Sequence, residues 1–269
     1  MGGFLGVIVV ALGSVLPLLL TLASVHHVTL LLVGMGQAHF IHCYIYQYRA
    51  HKMDADFWLK LALGLSAAAV ACFYLGDAVM IPAILIFILH QFFDDLYLYK
   101  QQAGTLDYIQ LALVLGACFC LSAFGMEAWA RQLAVLLVGA GMLAGLLTRQ
   151  RHTLLTLTLP FGLPLLYVVW DYQAEDWLIP AGIIIVSHYL RWMIYVYQTQ
   201  PQTRRNIFFV ESLILNSVLM LYAIATLLGG HGEHLSMVLQ GLFSTQAFVI
   251  WTMGHIASTI RPRLVPAHR

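Results

Sequence analysis

The chain has 269 residues, of which 61% are hydrophobic and only 9% charged, and its formal net charge is +1. A soluble domain carries about 25% charged residues, so the composition excludes an ordinary soluble globule, and the balanced charge gives no sign of a nucleic-acid partner. A mean hydropathy of +0.84, with no long polar tract, predicts a single transmembrane domain over 1–269: an all-α, polytopic membrane helix bundle with short loops.

A membrane span needs roughly 20 apolar residues. Ten stretches qualify, at about 4–24, 28–49, 59–75, 78–98, 106–125, 130–148, 153–170, 178–198, 207–228 and 236–259. They are separated by turn-formers or charges: His26-His27, Met53-Asp54, Gly76-Asp77, Gly104, Glu127, Arg149 to Arg151, Asp171 to Asp176, Pro201 to Asn206 and Gly229 to Gly232. The turn near Arg149 is short, and it is the least marked of these breaks. No basic residue precedes Phe4, and no small-residue cleavage site follows the first stretch, which reads as a retained span.

The 13 Lys and Arg residues test this count through the positive-inside rule. Loops after even-numbered spans hold Arg49, Lys52, Lys60, Lys100, Arg149, Arg151, Arg204 and Arg205, and the tail adds Arg261, Arg263 and Arg269. The opposite side holds Arg131, and Arg191 lies inside span eight. Such asymmetry predicts ten spans with both termini cytoplasmic, in a prokaryotic inner (plasma) membrane. The cysteines Cys43, Cys72, Cys118 and Cys120 fall in apolar stretches without a CxxC pair and read as free buried thiols.

Five histidines lie inside spans: His39 and His42 in span two, His90 in span four, His188 in span eight and His255 in span ten. A buried histidine in lipid is costly and marks a functional site. All four helices run from outside to inside in this topology. A rise of 1.5 Å per residue puts the imidazoles about 9–15 Å from the cytoplasmic end. His39, His90 and His188 come out level, and His42 lies a turn lower, level with His255. Neutral imidazole suits iron, copper or zinc, and helix bundles build such sites from facing side chains. The alternative is a set of separate buried histidines, each hydrogen-bonded to a neighbouring helix.

A second group of polar residues surrounds them. Asp94 lies one turn after His90, placed to orient an imidazole or to meet the interface together with Asp95. Arg191 shares a helix face with His188 and needs an anionic partner, for which Asp94, Asp95 and Glu211 are the candidates. Asp94, Asp95 and Arg191 are thus candidates for orienting ligands or substrate. The tyrosines Tyr44, Tyr46, Tyr48, Tyr97, Tyr99, Tyr195 and Tyr197 read as an interfacial aromatic belt, or as a wall for a flat apolar substrate.

Four motifs carry a resemblance: Gly36-Gln-Ala-His39, His90-Gln-Phe-Phe-Asp-Asp95, Ser187-His188-Tyr-Leu-Arg191, and Gly254-His255 followed by Arg261-Pro262. In order, approximate spacing and total length the chain resembles the Brp/Blh family of membrane β-carotene 15,15'-dioxygenases, which cleave β-carotene to retinal. The resemblance implies non-haem Fe(II) held by His39, His90, His188 and a fourth histidine, with O₂ and a carotenoid as substrates. Two positions depart from the family pattern. Ala38 stands where the family has proline, and Trp192 where it has a second histidine, which leaves the fourth place to His42 or His255.

Two rival readings stay open. Histidine pairs could clamp haem b, as in membrane b-type cytochromes, or His, Arg and Asp could line a transport path. The preferred expectation is a membrane oxygenase acting on an apolar lipid-phase substrate that enters from the bilayer.

Overall fold

The computed structural model describes residues 25–99, 104–147, 178–228 and 245–260, together with Leu165, Val169 and Tyr172. The described residues form helices and their connections, with no strand among them. The helices are α1 (Val25–Arg49), α2 (Ala55–Leu75), α3 (Met80–Tyr99), α4 (Thr105–Phe124), α5 (Ala128–Leu147), α6 (Leu178–Thr199), α7 (Gln202–Leu228) and α8 (Thr245–Thr259), with a 3₁₀ turn at Gly76–Val79. Three helical stretches are long and apolar enough to cross a membrane: Ala55–Leu98, Thr105–Phe124 and Ala128–Leu147. The expected spans at 4–24 and 153–170 lie outside the described residues, apart from Leu165 and Val169, as does the first part of 236–259. His26 and His27 lie in the first turn of α1, and the residues before Val25 lie outside the described ones.

The helix ends follow local chemistry. Asp54 caps α2, its carboxylate accepting the Phe57 amide at 2.9 Å. Gly76 ends α2 at φ 54°, in the left-handed region that favours glycine. Asp107, in the first turn of α4, accepts the Gly104 amide at 2.7 Å, where an acidic group also complements the helix dipole. Arg131 Nη1 donates to the carbonyls of Gly125 (2.9 Å) and Met126 (2.8 Å) and fastens the α4–α5 turn.

Small residues bring helix axes close, as they do between helices in lipid. At the α2–α8 contact a Cβ on Gly64 would lie 2.7 Å from Ala257 Cβ and 2.8 Å from the Met253 carbonyl. A Cβ on Gly254 would lie 2.6 Å from Leu65 Cδ2. At the α4–α5 contact Ala117, Ala130, Ala134 and Gly141 are buried. The main apolar core joins α3, α4, α5 and α6 through Phe87, Leu115, Leu121, Val138 and Ile184. A smaller cluster of Cys72, Val79, Ala83 and Val249 ties α2 to α3 and α8. All four cysteines are free and buried, as expected.

Four of these helices define the site. α1 touches α6 and α8, and α3 touches the same two, so the four close a circuit in the order α1, α6, α3, α8.

Candidate metal centre

Each helix of that circuit turns one histidine inward. The ring centroids of His39 and His188 are 5.0 Å apart, of His188 and His90 5.2 Å, of His90 and His255 5.8 Å, and of His255 and His39 5.0 Å. The imidazoles therefore close a four-membered ring in the same order as the helices that carry them. His39, His188 and His255 are buried, and His90 is half-buried.

The polar atoms of this ring are poorly served by the protein. His90 Nε2 and His255 Nδ1 are buried without a hydrogen-bond partner. A buried imidazole left so costs about 1–3 kcal/mol, which four helices have no structural reason to bear. A square with these sides has its centre about 3.7 Å from each centroid. An imidazole bound at a metal–nitrogen distance of about 2.1 Å puts its centroid roughly 3.2 Å from the ion. Each ring must move inward by about 0.5 Å before all four can reach one ion.

His42 is not in the ring. Its imidazole stacks on Phe208 of α7 (centroids 4.6 Å, 19° between planes), and its Nδ1 lies 3.4 Å from Ser212 Oγ. Ser212 Oγ already donates to the Phe208 carbonyl at 2.7 Å, so His42 Nδ1–H is the donor to Ser212. The depth count that pairs His255 with His42 is corrected. It assumes that every helix ends at one height. α8 ends instead beside the start of α2, where Lys60 Nζ donates to the Ile260 carbonyl at 3.2 Å, and His255 comes level with His39 and His90. Trp192, at the place where the resemblance expects a further histidine, lies edge-on to His39 (5.1 Å) and to His42 (5.5 Å).

The acidic candidates part company. Asp95 is 1% exposed and Arg191 also 1%, and Arg191 Nη1 lies 3.0 Å from Asp95 Oδ2. Of the three partners proposed for Arg191, Asp95 therefore meets it. Glu211 binds Arg49 through two hydrogen bonds of 2.6 and 2.8 Å. Asp94 has its carboxylate within 4.8 Å of donor nitrogens of both His90 and His188.

Cys43 is the site residue that sequence reasoning passed over as a plain buried thiol. Its Sγ lies 3.6 Å from His39 Nδ1 and 3.8 Å from His39 Nε2, and it groups with His39 and His255 within 4.8 Å. The available signal was its position four residues after His39, on the same helix face. Tyr189 is a second such residue: its ring is 5.1 Å from His39, and its hydroxyl accepts from Asn216 Nδ2 at 2.6 Å.

A cavity of about 740 Å³ opens on the imidazole ring. Beyond the histidines it is lined by residues C-terminal to them: Cys43, Tyr46 and Gln47 on α1, Phe93, Asp94 and Tyr97 on α3, Trp192 on α6, and Thr259 on α8. The four helices thus run the same way through the site. Lys52 and Ile260, past the ends of α1 and α8, complete the lining. Tyr46 and Tyr97 therefore form a wall of the site, whereas Tyr48 is 72% exposed.

Compared with known proteins, this chain matches no family model, no curated protein and no solved structure.

Proposed function

We propose that the chain is a membrane-embedded oxidoreductase whose metal centre, built on His39, His90, His188 and His255, oxidises an apolar lipid-phase substrate. The observation that carries this reading is the closed ring of four imidazoles from four helices, with centroids 5.0–5.8 Å apart and two buried nitrogens that no protein group satisfies. Non-haem iron is the metal that the donor chemistry and the Brp/Blh resemblance favour. A bound iron(II) ion supplies redox chemistry towards dioxygen that no amino-acid side chain provides.

The chain's own residues do the rest. Neutral imidazoles bring no charge, so Asp94 is the nearest carboxylate to offset a cation. Asp95 is taken up by Arg191, and that pair braces α3 against α6 beneath the ring. Phe93, Tyr97 and Trp192 give flat apolar walls suited to a polyene such as a carotenoid. The buried apolar core behind the ring keeps water from the reacting end of the substrate. The lining reaches the C-terminal ends of α1 and α8, so the cavity extends from the ring towards that side, and an apolar substrate enters it from the bilayer between helices. Ten spans, with both termini and this mouth on the cytoplasmic side of a prokaryotic inner membrane, complete the proposal, and the Lys/Arg asymmetry supports it.

The haem reading fares worse. A haem clamped by two opposed imidazoles needs its plane clear, and here two further imidazoles occupy that plane. Elemental analysis and the visible spectrum of the purified protein decide between them. Non-haem iron without a Soret band is expected, and a Soret band with stoichiometric haem overturns the proposal. Co-expression with a β-carotene pathway tests the substrate: loss of colour with appearance of retinal or an apocarotenoid is expected, and unchanged β-carotene removes the carotenoid assignment.

A further inference from the structure

We propose that the imidazole ring is shared by two metal ions, one on His39, Cys43 and His255 and the other on His90, Asp94 and His188. The inference rests on the metal-centre reading above and changes its stoichiometry and donor set.

The two triads are built alike. α1 supplies His39 and, four residues on, Cys43; α3 supplies His90 and, four residues on, Asp94. Residues at this spacing share a helix face, as the two zinc-binding histidines of HExxH helices do. The third donor comes from a facing helix, His255 of α8 in one triad and His188 of α6 in the other. Within each triad the donor atoms all lie within 4.8 Å of one another. Each triad also contains one buried nitrogen with no protein partner, His255 Nδ1 in the first and His90 Nε2 in the second. The two nitrogens belong to different donor groups, on histidines that are neighbours in the ring with centroids 5.8 Å apart.

Cys43 Sγ lies 3.6 Å from His39 Nδ1 and 3.8 Å from its Nε2, alongside the ring, so an ion shared by the two requires the imidazole to turn towards the sulfur. Cys43 is 3% exposed and lines the cavity on the mouth side of the ring, as Asp94 does.

Charge and softness agree with two ions. In a low-dielectric site each dication needs an anionic donor close by. Cys43 provides one, losing its thiol proton on binding, and Asp94 provides the other. Two imidazoles and a thiolate suit a softer ion such as copper or zinc. Two imidazoles and a carboxylate with open positions are the donor set of non-haem Fe(II) oxygenases.

The test is an anaerobic cobalt(II) titration of the full-length protein in detergent, stripped of metal by a chelator. Two tightly bound cobalt ions per chain are expected, with a near-ultraviolet thiolate-to-cobalt charge-transfer band. Cys43→Ser should abolish the band and leave one ion, whereas Asp94→Asn should keep the band and leave one ion. A single cobalt per chain in the unmodified protein, with or without the band, overturns the two-ion proposal and leaves the metal centre standing. Two cobalt ions without the band, or two that neither substitution removes, overturn it as well. No bound cobalt at all overturns the metal-centre reading itself.

Discussion

Arg191 Nη1 lies 3.0 Å from Asp95 Oδ2, and the two side chains are 2% and 1% exposed. The pair joins α6 to α3 next to the contact between His188 and His90, from which its members are three and five residues away. Removing one partner strands the other charge in a low-dielectric interior. Asp95→Asn or Arg191→Leu is therefore expected to cost about 3–5 kcal/mol, and the double change to apolar residues to recover most of it. Denaturant unfolding in detergent, run as a double-mutant cycle, measures the difference.

Metal retention separates the five span histidines. His39→Ala, His90→Ala, His188→Ala and His255→Ala should each lower bound metal, by more than the roughly 10–100-fold in affinity that loss of an outer-shell partner costs. His42→Ala should keep a full load, because His42 faces Ser212 and Phe208. Elemental analysis of the five purified variants reads this directly. Equal loss in His42→Ala contradicts the assignment.

Acid should release the metal. Binding requires unprotonated imidazole, so protons compete with the ion and affinity falls as the solution is acidified. Cobalt binding followed spectroscopically over a descending pH series tests the sign. Affinity that rises throughout the series contradicts imidazole ligation.

The α2–α8 contact should be intolerant of side chains. Gly64→Leu and Gly254→Leu force heavy atoms into space already held by Ala257, Met253 and Leu65, at an expected cost of about 1–3 kcal/mol each. Since Gly254 adjoins His255, the second change should weaken metal binding too. Gly139→Ala is the control: nothing lies within 4 Å of its Cβ position, and better helix propensity makes it neutral or mildly stabilising. Thermal melts of the three variants give the order.

Arg49→Ala should matter little despite a 2.6 Å ion pair with Glu211. The two side chains are 53% and 32% exposed and Arg49 ends α1, so where this pair meets water it is screened, and a loss below about 1 kcal/mol is expected. Melts at low and high salt, converging at high salt, check it.

The helical class and the three inward-facing histidines His39, His90 and His188 were legible in the chain because each depends on local order. Hydropathy over a window and residue rise along a helix need no knowledge of neighbours. Breaks at Asp54, Gly76 and Gly104 were readable for the same reason, since capping and left-handed turns are short-range chemistry. The partner of Arg191 was left among three candidates, because sequence carries no register between α3 and α6. The same gap left His42 and His255 as equals. Only helix height and rotation, fixed by the Gly64–Gly254 contact and by α7 covering His42, bring His255 into the ring and turn His42 away.

By itself the sequence determined that this chain is helical and apolar, with imidazoles at nearly one depth on four helices, because periodicity and solvation act residue by residue. The tertiary structure alone decided which donors converge. Cys43 joins His39 and His255, and Asp94 joins His90 and His188, because convergence depends on how four separate helices rotate and pack, and no single helix encodes that.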